Sequence, residues 1–262
     1  MRGRWKDRLP FRTWLRLGRR ELGLLLAVLA VAAALLVFAW IAEEVSEGDT
    51  HAVDRAVLLA LRRPGDLATP IGPAWVQGMA RDLTSLGSIT VLTLVAATVA
   101  GFLAIVRKRG AALLVVVAIG GGMMLSTVLK NVFERPRPDL VPHAVEVFTA
   151  SFPSGHAMLS AVTYLTLGAL LTRVQPRRRA KAYILAVAVM LTMLIGISRV
   201  YLGVHWPTDV FAGWCVGSAW AIACWAAALW LQRRGSVEPA AAEPESGEKG
   251  NGADIAPPAG ER

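Results

Sequence analysis

Six long apolar runs, separated by polar or basic connections, dominate the pattern along the chain. They cover residues 22–41, 87–106, 111–129, 157–171, 182–197 and 210–231. About 20 apolar residues in a helix span the hydrocarbon core of a bilayer. Two of the runs are shorter, but each adjoins residues that can extend the helix. The pattern therefore predicts an all-α, polytopic membrane protein with six transmembrane helices.

The first run follows a basic N-terminus, residues 1–21, which carries eight Lys/Arg. A basic segment before an apolar run is also typical of a signal peptide. This run is long enough to span and lacks a convincing small-residue cleavage site, so we expect a retained helix. Residues 22–232 are expected to form the membrane domain, and residues 233–262, rich in Ala, Pro, Gly and Glu, a disordered tail.

A polar connection, residues 42–86, separates the first two runs. Residues 52–63 within it place apolar side chains at helical spacing, with Arg55, Arg62 and Arg63 between them. Such a segment is typical of an amphipathic helix that lies in the membrane interface.

The composition agrees with a bilayer environment. Hydrophobic residues make up 55% of the chain, charged residues only 18%, and the mean hydropathy is +0.48. The net charge of +9 could indicate nucleic acid, but the basic residues cluster beside apolar runs, which favours lipid head groups instead. Cys215 and Cys224 would lie roughly 13 Å apart along a helix, too far for a disulfide. We therefore expect them to be packing residues.

The distribution of Lys and Arg predicts an orientation. The N-terminus, the second and fourth connections and the edge of the tail together hold 18 Lys/Arg, whereas the remaining connections hold eight. Because positively charged connections tend to stay in the cytoplasm, we expect a cell-membrane protein with both termini cytoplasmic. Three chemically unusual stretches then fall on the extracytoplasmic face.

The first of these stretches, residues 130–138, follows the third apolar run. Lys130 and Arg137 suit the binding of an anion, because Arg offers a planar fork for phosphate and Lys a compact charge. For Glu134 and Arg135, between them, a charged anchor in the membrane interface is at least as good an explanation as a direct role.

The second stretch, residues 152–156, reads Phe-Pro-Ser-Gly-His and precedes the fourth run. Ser154 is a natural helix N-cap, and the free N–H groups of a helix start also suit phosphate. Gly155 would let an anion approach the backbone closely. His156, in the first turn, would be placed to exchange a proton there.

The third stretch, residues 198–209, holds an arginine, a histidine and an aspartate between two apolar runs. Ionisable groups are costly in a membrane segment and are usually kept for function. His205 and Asp209 are four residues apart, so they share one face of a helical turn. This spacing suits a carboxylate that orients an imidazole. Pro207 fits the start of the sixth helix, and Arg199 the end of the fifth.

Together, the three stretches resemble the signature of the type 2 phosphatidic acid phosphatase superfamily. That signature reads Lys-x6-Arg-Pro, then Pro-Ser-Gly-His, then Ser-Arg-x5-His-x3-Asp. The chain matches it with Lys130, Arg137, Pro138, Pro153, Ser154, Gly155, His156, Ser198, Arg199, His205 and Asp209. All three parts occur in order and on one predicted face, which argues against a chance match.

The resemblance implies a lipid phosphatase with its active site at the outer interface of a six-helix bundle. His205 is expected to be the nucleophile that forms a phosphohistidine. Asp209 is expected to orient and stabilise the imidazole, and His156 to protonate the leaving oxygen and then activate water.

The resemblance also implies a phosphate site built from cations and not from a metal ion. The expected phosphate-binding residues are Lys130, Arg137, Ser154, Gly155 and Arg199. Fixed cations can stabilise a phosphoryl group, and these stretches contain no acidic cluster suited to Mg²⁺. We therefore expect no metal and no cofactor. The substrate could be undecaprenyl pyrophosphate, phosphatidylglycerophosphate, phosphatidic acid or a related lipid, and the motifs do not choose between them. We expect the bilayer as partner and no nucleic acid.

Two other functions remain compatible with the fold. A phosphotransferase of the same superfamily would pass the phosphoryl group to a sugar or lipid acceptor. A lipid transporter with an inactive site would be expected to lack His205, Asp209 or His156, and all three are present.

The other conspicuous residues have structural explanations. We expect His51 and His143 to be surface residues, and the glycines at 120–122 to allow close helix packing. Four tryptophans in the last run are expected to face lipid or the membrane interface: Trp214, Trp220, Trp225 and Trp230.

Overall fold

The computed structural model describes residues 11–142 and 149–233. The predictions for His143, for the C-terminal tail and for the first ten residues of the basic N-terminus lie outside the described residues. Eight helices and one two-stranded hairpin make up the described part of the chain.

The six predicted apolar runs are all helical. In chain order the helices are α1 Phe11–Glu47, α2 His51–Ala60, α3 Ala74–Ser85, α4 Ile89–Ile105, α5 Arg109–Phe133, α6 Gly155–Arg173, α7 Arg178–Tyr201 and α8 Pro207–Arg233. Helices α1, α5, α6, α7 and α8 are each long and apolar enough to cross a bilayer. Helices α3 and α4 reach that length only as a pair, joined at a bend of 47°, so the described residues hold five such helices, or six spans if the bent pair counts as one. The prediction of a multi-pass helical protein is confirmed.

The connection between α1 and α4 contains more structure than its sequence indicated. The amphipathic helix is present as α2 but ends at Ala60. A short antiparallel hairpin follows, with strands β1 (Arg62–Arg63) and β2 (Asp66–Pro70). Helix α3 then leads into the second span. Neither the hairpin nor α3 was predicted, because the two strands are very short and α3 carries Arg81 and Asp82 within a segment interpreted as a polar connection.

Helix α6 lies at the centre of the bundle and packs against α5, α7 and α8. Its interface with α8 is made of small residues, because Gly213 and Gly217 of α8 lie against the backbone of α6. A Cβ on Gly213 would lie 2.7 Å from the carbonyl oxygen of Ser154. This close approach brings the start of α6 directly beside the start of α8.

The predicted close packing of the glycines at 120–122 is confirmed for two of the three. A Cβ on Gly121 would lie 2.5 Å from the Trp220 ring, and one on Gly122 would lie 3.2 Å from Val162. Gly120 faces open space.

The prediction that all four tryptophans of α8 face lipid or the interface was wrong for two of them. The Trp220 indole N–H donates to the Ala118 carbonyl of α5, and that of Trp214 to the Thr192 carbonyl of α7. Both rings lie between helices, over Gly121 and Gly196 respectively. Glycine on the facing helix leaves the space that these large rings fill.

The helix directions bring the three unusual stretches to one end of the bundle. Helices α5 and α7 end there, whereas α6 and α8 begin there. Lys130 lies in the last turn of α5 and Arg199 in the last turn of α7, and Asp209 lies in the first turn of α8. Segments far apart in sequence thus meet at this end.

Candidate active site

His205 and Asp209 form a buried pair at the start of α8. The Nδ1 atom of His205 lies 3.3 Å from Oδ2 of Asp209, and the two residues are 1% and 0% exposed. Gly203, with φ of +77°, makes the turn that leads from α7 to His205. That backbone region is costly for residues with a Cβ, so glycine suits this position.

The contacts of His205 indicate which ring nitrogen is free to react. Nδ1 faces the Asp209 carboxylate, which accepts a hydrogen bond from an Nδ1–H. Nε2 lies 3.2 Å from Nη1 of Arg137, which can only donate. The lone pair of the ring is therefore on Nε2, the atom that faces the cations.

Burial and nearby positive charges keep His205 neutral. Burial, together with Arg199, Arg137 and Lys130, lowers the pKa of His205 well below its ordinary value. A histidine with a lowered pKa retains its lone pair at neutral pH and further into the acid range than a free imidazole does.

Lys130 and Arg137 lie beside the same loop, next to His205. Arg137 donates from Nη1 to the Val204 carbonyl at 2.7 Å and from Nε to the Thr149 carbonyl at 2.7 Å. Lys130 donates to Thr149 Oγ1 at 3.2 Å and to the carbonyl of Ala150. Both predicted anion-binding cations of the first stretch are thus held by the loop before α6, and Arg137 also contacts the segment that carries His205.

Arg199 and Ser154 each bring a buried polar atom without a partner among the described residues. Arg199 is 3% exposed; its Nη1 donates to Thr84 of α3 at 3.0 Å, while its Nε has no hydrogen bond. Ser154 is the N-cap residue of α6, but its hydroxyl makes no cap hydrogen bond and has no partner. Buried donors are normally paired, so these two atoms suit a bound anion.

The start of α6 adds Gly155 and His156. Gly155 is the first residue of the helix, with Lys130 Cε 3.5 Å from the position of a Cβ. The first backbone N–H groups of a helix lack intrahelical partners and attract anions. The ring of His156 lies against Gly87, where a Cβ would come within 3.3 Å of its Cδ2 atom. Glycine at the α3–α4 bend therefore leaves room for this ring.

Arg135 is a buried part of this site, which the interpretation as an interfacial anchor missed. Its Nη1 donates to Oδ1 of Asp209 at 2.6 Å, and its Nη2 to Oδ2 of Asp54 at 2.8 Å. Arg135 is 6% exposed and Asp54 is fully buried. Glu134 remains exposed, as an interfacial residue would be.

Ser151 is a second residue that the sequence did not indicate. Its hydroxyl donates to Oδ2 of Asp209 and lies 3.3 Å from Nδ1 of His205. The backbone N–H of Trp206 donates to the same carboxylate oxygen at 2.9 Å. Asp209 is therefore fixed by donors on both oxygens. Ser151 lies just upstream of the second stretch, and no spacing rule marks it.

The acidic residues of the described ranges do not gather into a metal site. No group of three or more His, Cys, Asp or Glu side chains with the geometry to hold a metal ion occurs among residues 11–142 and 149–233. The polar group beside His205 Nε2 is instead the Arg137 guanidinium.

Comparison with known proteins places the chain within one family. A model of the PAP2 superfamily matches residues 111–233, which include the eight predicted site residues. Phosphatidylglycerophosphatase B of Bacillus subtilis is 34% identical over 151 residues, 57% of this chain and 74% of that protein. Decaprenylphosphoryl-5-phosphoribose phosphatase of Mycobacterium tuberculosis is 32% identical over 180 residues, 68% of this chain and 89% of that protein.

A solved structure has the same architecture. The crystal structure of a transmembrane PAP2 type phosphatidylglycerolphosphate phosphatase from Bacillus subtilis superposes with a TM-score of 0.70 and 28% sequence identity. The match covers 78% of this chain and 98% of that one. The chain therefore belongs to the PAP2 superfamily and is a multi-pass membrane phosphatase of the PAP2 type.

Proposed function

We propose that this chain hydrolyses a phosphomonoester or pyrophosphate on a lipid head group through a phosphohistidine on His205. One observation carries the proposal: a buried imidazole has its Nδ1 on Asp209 and its Nε2 beside Arg137. A neutral ring held in this way presents a nucleophilic nitrogen to an anion bound by the cations.

In the first step, Nε2 of His205 attacks phosphorus, a P–N bond forms, and the P–O bond to the leaving group breaks. The leaving oxygen takes a proton from His156, whose protonated form is favoured by the negative charge of the bound phosphate, and His156 becomes neutral. The imidazole acquires positive charge, which the carboxylate of Asp209 stabilises.

In the second step, water attacks the phosphohistidine. Its proton passes to His156, the P–N bond breaks, and inorganic phosphate leaves, so both histidines return to their starting states. Lys130, Arg137 and Arg199 would hold the phosphoryl oxygens throughout, with Ser154 and the start of α6. Charge stabilisation and positioning are the main requirements of phosphoryl transfer.

The position of the site supports a lipid substrate. The site lies at one end of a bundle of apolar helices, where the head group of a bilayer lipid would lie. The named relatives act on phosphatidylglycerophosphate and on a decaprenylphosphoryl-phosphoribose, according to their names. Both are phosphatases of lipid phosphates, which favours water over a sugar or lipid as the acceptor.

A lipid panel without metal tests this proposal. Purified protein in detergent micelles with EDTA is expected to release phosphate from at least one of phosphatidic acid, phosphatidylglycerophosphate or undecaprenyl pyrophosphate, because the cations of the site supply the charge. His205→Ala protein, prepared in parallel, controls for contaminating phosphatases. Activity that collapses in EDTA and returns with Mg²⁺ would contradict the metal-free mechanism.

We also propose that the site faces the extracytoplasmic side, on the basis of the Lys/Arg distribution. Asp49 lies in the connection at the site end, and Arg177 in the connection at the opposite end; both are exposed. In a Cys215→Ala/Cys224→Ala background, a membrane-impermeant maleimide added to intact cells is expected to label Asp49→Cys but not Arg177→Cys. The reverse labelling pattern would overturn the orientation.

A further inference from the structure

Asp54 is a fully buried carboxylate on α2, outside the signature residues of the family. Its Oδ2 accepts from Arg135 Nη2 at 2.8 Å and from the Thr208 hydroxyl at 2.7 Å, and its Oδ1 accepts from the Thr208 backbone N–H at 3.0 Å. It therefore joins α2 to the first turn of α8. Burial of an ionised carboxylate is costly unless it is paired. The buried position of Asp54 therefore depends on the donors supplied by Arg135 and Thr208.

Arg135 connects Asp54 to the proposed catalytic pair. One end of its guanidinium is on Asp54 and the other is 2.6 Å from Oδ1 of Asp209, whose Oδ2 faces His205. The Thr208 hydroxyl accepts from Arg135 at 2.9 Å, and the guanidinium lies 5.7 Å from the centre of the Trp206 ring. Among the described residues, the side chains of Asp54 and Arg135 bond to each other, to Asp209, to Thr208 and to Thr50. They lie on the carboxylate side of the pair, away from Nε2, so neither is placed to touch a bound phosphate.

The charges of this cluster differ from those of an isolated Asp–His pair. An arginine 2.6 Å from Asp209 would by itself offset the carboxylate's charge and weaken its attraction for an imidazolium. Asp54 on the other side of Arg135 offsets the arginine. The three groups together carry one net negative charge, which becomes balanced when His205 gains positive charge.

We infer that Asp54 is a positioning residue, which neutralises Arg135 so that Asp209 can stabilise the charge on His205 in the phosphoenzyme. This inference rests on the proposed phosphohistidine mechanism. It assigns to α2, a helix of the connection between the first two spans, a part in the electrostatics of the reaction. Arg135 fixes the orientation of Asp209. The negative charge of Asp54 offsets that of Arg135, so the Asp209 carboxylate still stabilises positive charge on the His205 imidazole.

The test is a set of three variants, Asp54→Asn, Arg135→Gln and the double variant, with Asp49→Asn as control. Asp54→Asn is expected to lower kcat by about tenfold or more, because Arg135 then competes with the developing charge on His205. KM is expected to change much less, since Asp54 does not contact the substrate. Asp49 is an exposed carboxylate in the same connection, and Asp49→Asn should leave kcat unchanged.

The double variant separates an electrostatic role from a merely structural one. Removing Arg135 in the Asp54→Asn background leaves the negative charge of Asp209 without a neighbouring arginine to offset it. The double variant is therefore expected to have a higher kcat than Asp54→Asn alone. Loss of packing would instead make the double variant equal to or slower than the single one. Thermal unfolding in detergent shows whether each variant is folded, and kcat is taken per folded protein.

Two results would overturn the inference. One is a wild-type kcat for Asp54→Asn, and the other is a double variant no faster than Asp54→Asn. In both cases the proposed function would stand if His205→Ala abolished hydrolysis. If His205→Ala remained active, the phosphohistidine mechanism itself would fail, so the two failures are distinguishable.

Discussion

Replacement of His205 by alanine is expected to lower kcat for lipid phosphate hydrolysis by at least about 10⁴-fold, which is the scale seen when a covalent nucleophile is removed. His205 has the Asp209 carboxylate at Nδ1 and Arg137 at Nε2, and Arg199 and Lys130 lie near enough to act on its charge. The anion site would remain, because Lys130, Arg137 and Arg199 are held by other elements. KM is therefore expected to change much less than kcat.

Labelling separates this loss of chemistry from a loss of folding. Wild-type protein mixed with a ³²P-labelled lipid phosphate and quenched with base is expected to carry label that is released by acid, as a P–N bond requires. His205→Ala protein should carry none, although it should still bind the substrate. Because His205 is buried, thermal unfolding of the variant is the folding control. Hydrolysis at the wild-type rate by this variant would exclude His205 as the nucleophile.

The helices of the bundle could be predicted from the sequence because lipid exposure needs only apolar side chains along a helix. Exposed residues such as Leu36 and Val116 lie on outer faces of the helices. Their positions within the apolar runs were sufficient to predict those helices. Helix α3 is different, since it carries Arg81 and Asp82 and reads as part of a polar connection. Its role becomes visible only where Thr84 contacts Arg199.

The helix in the connection shows why amphipathic patterns are hard to orient. The residues that formed the predicted apolar face, including Val53 and Val57, are largely exposed. Asp54 and Leu58, four residues apart, lie about 100° around the helix from Val53 and Val57, and this second face packs onto the protein. An exposed apolar face suits a membrane interface, whereas a buried carboxylate needs a partner. That partner, Arg135, is 81 residues away, so no local spacing indicates it.

The signature residues could be predicted because each of the three stretches is local. Within a stretch, spacing places side chains on one face, as it does for His205 and Asp209. Contacts between stretches and with the loop before α6 depend on the bundle, so Ser151 and Arg135 had no sequence signal of comparable strength. Arg135 lies two residues from Arg137, and only the burial of its side chain distinguishes it from an interfacial anchor.

Replacement of His156 by glutamine is expected to have an effect that depends on the leaving group. His156 is proposed to protonate the leaving oxygen, and general acid catalysis contributes roughly 10²–10⁴-fold. A lipid alkyl phosphate, whose alkoxide is a poor leaving group, should therefore lose about that factor in kcat. An aryl phosphate with an acidic phenol needs little protonation, so its first step should be much less affected.

With the aryl phosphate, the same variant should accumulate phosphoenzyme. His156 is also proposed to activate water in the second step, and that step does not depend on the leaving group. A burst of phenol followed by slow turnover, with acid-labile label retained on the protein, would therefore be observed in His156→Gln and not in the wild type. His51→Gln, a change at an exposed histidine of the connection, serves as the matched control and should show neither effect. Proton transfer to the leaving oxygen is what makes the rate depend on the leaving group. An equal loss of kcat with both substrates, without a burst, would therefore contradict proton transfer by His156. It would indicate that His156 only positions the phosphate.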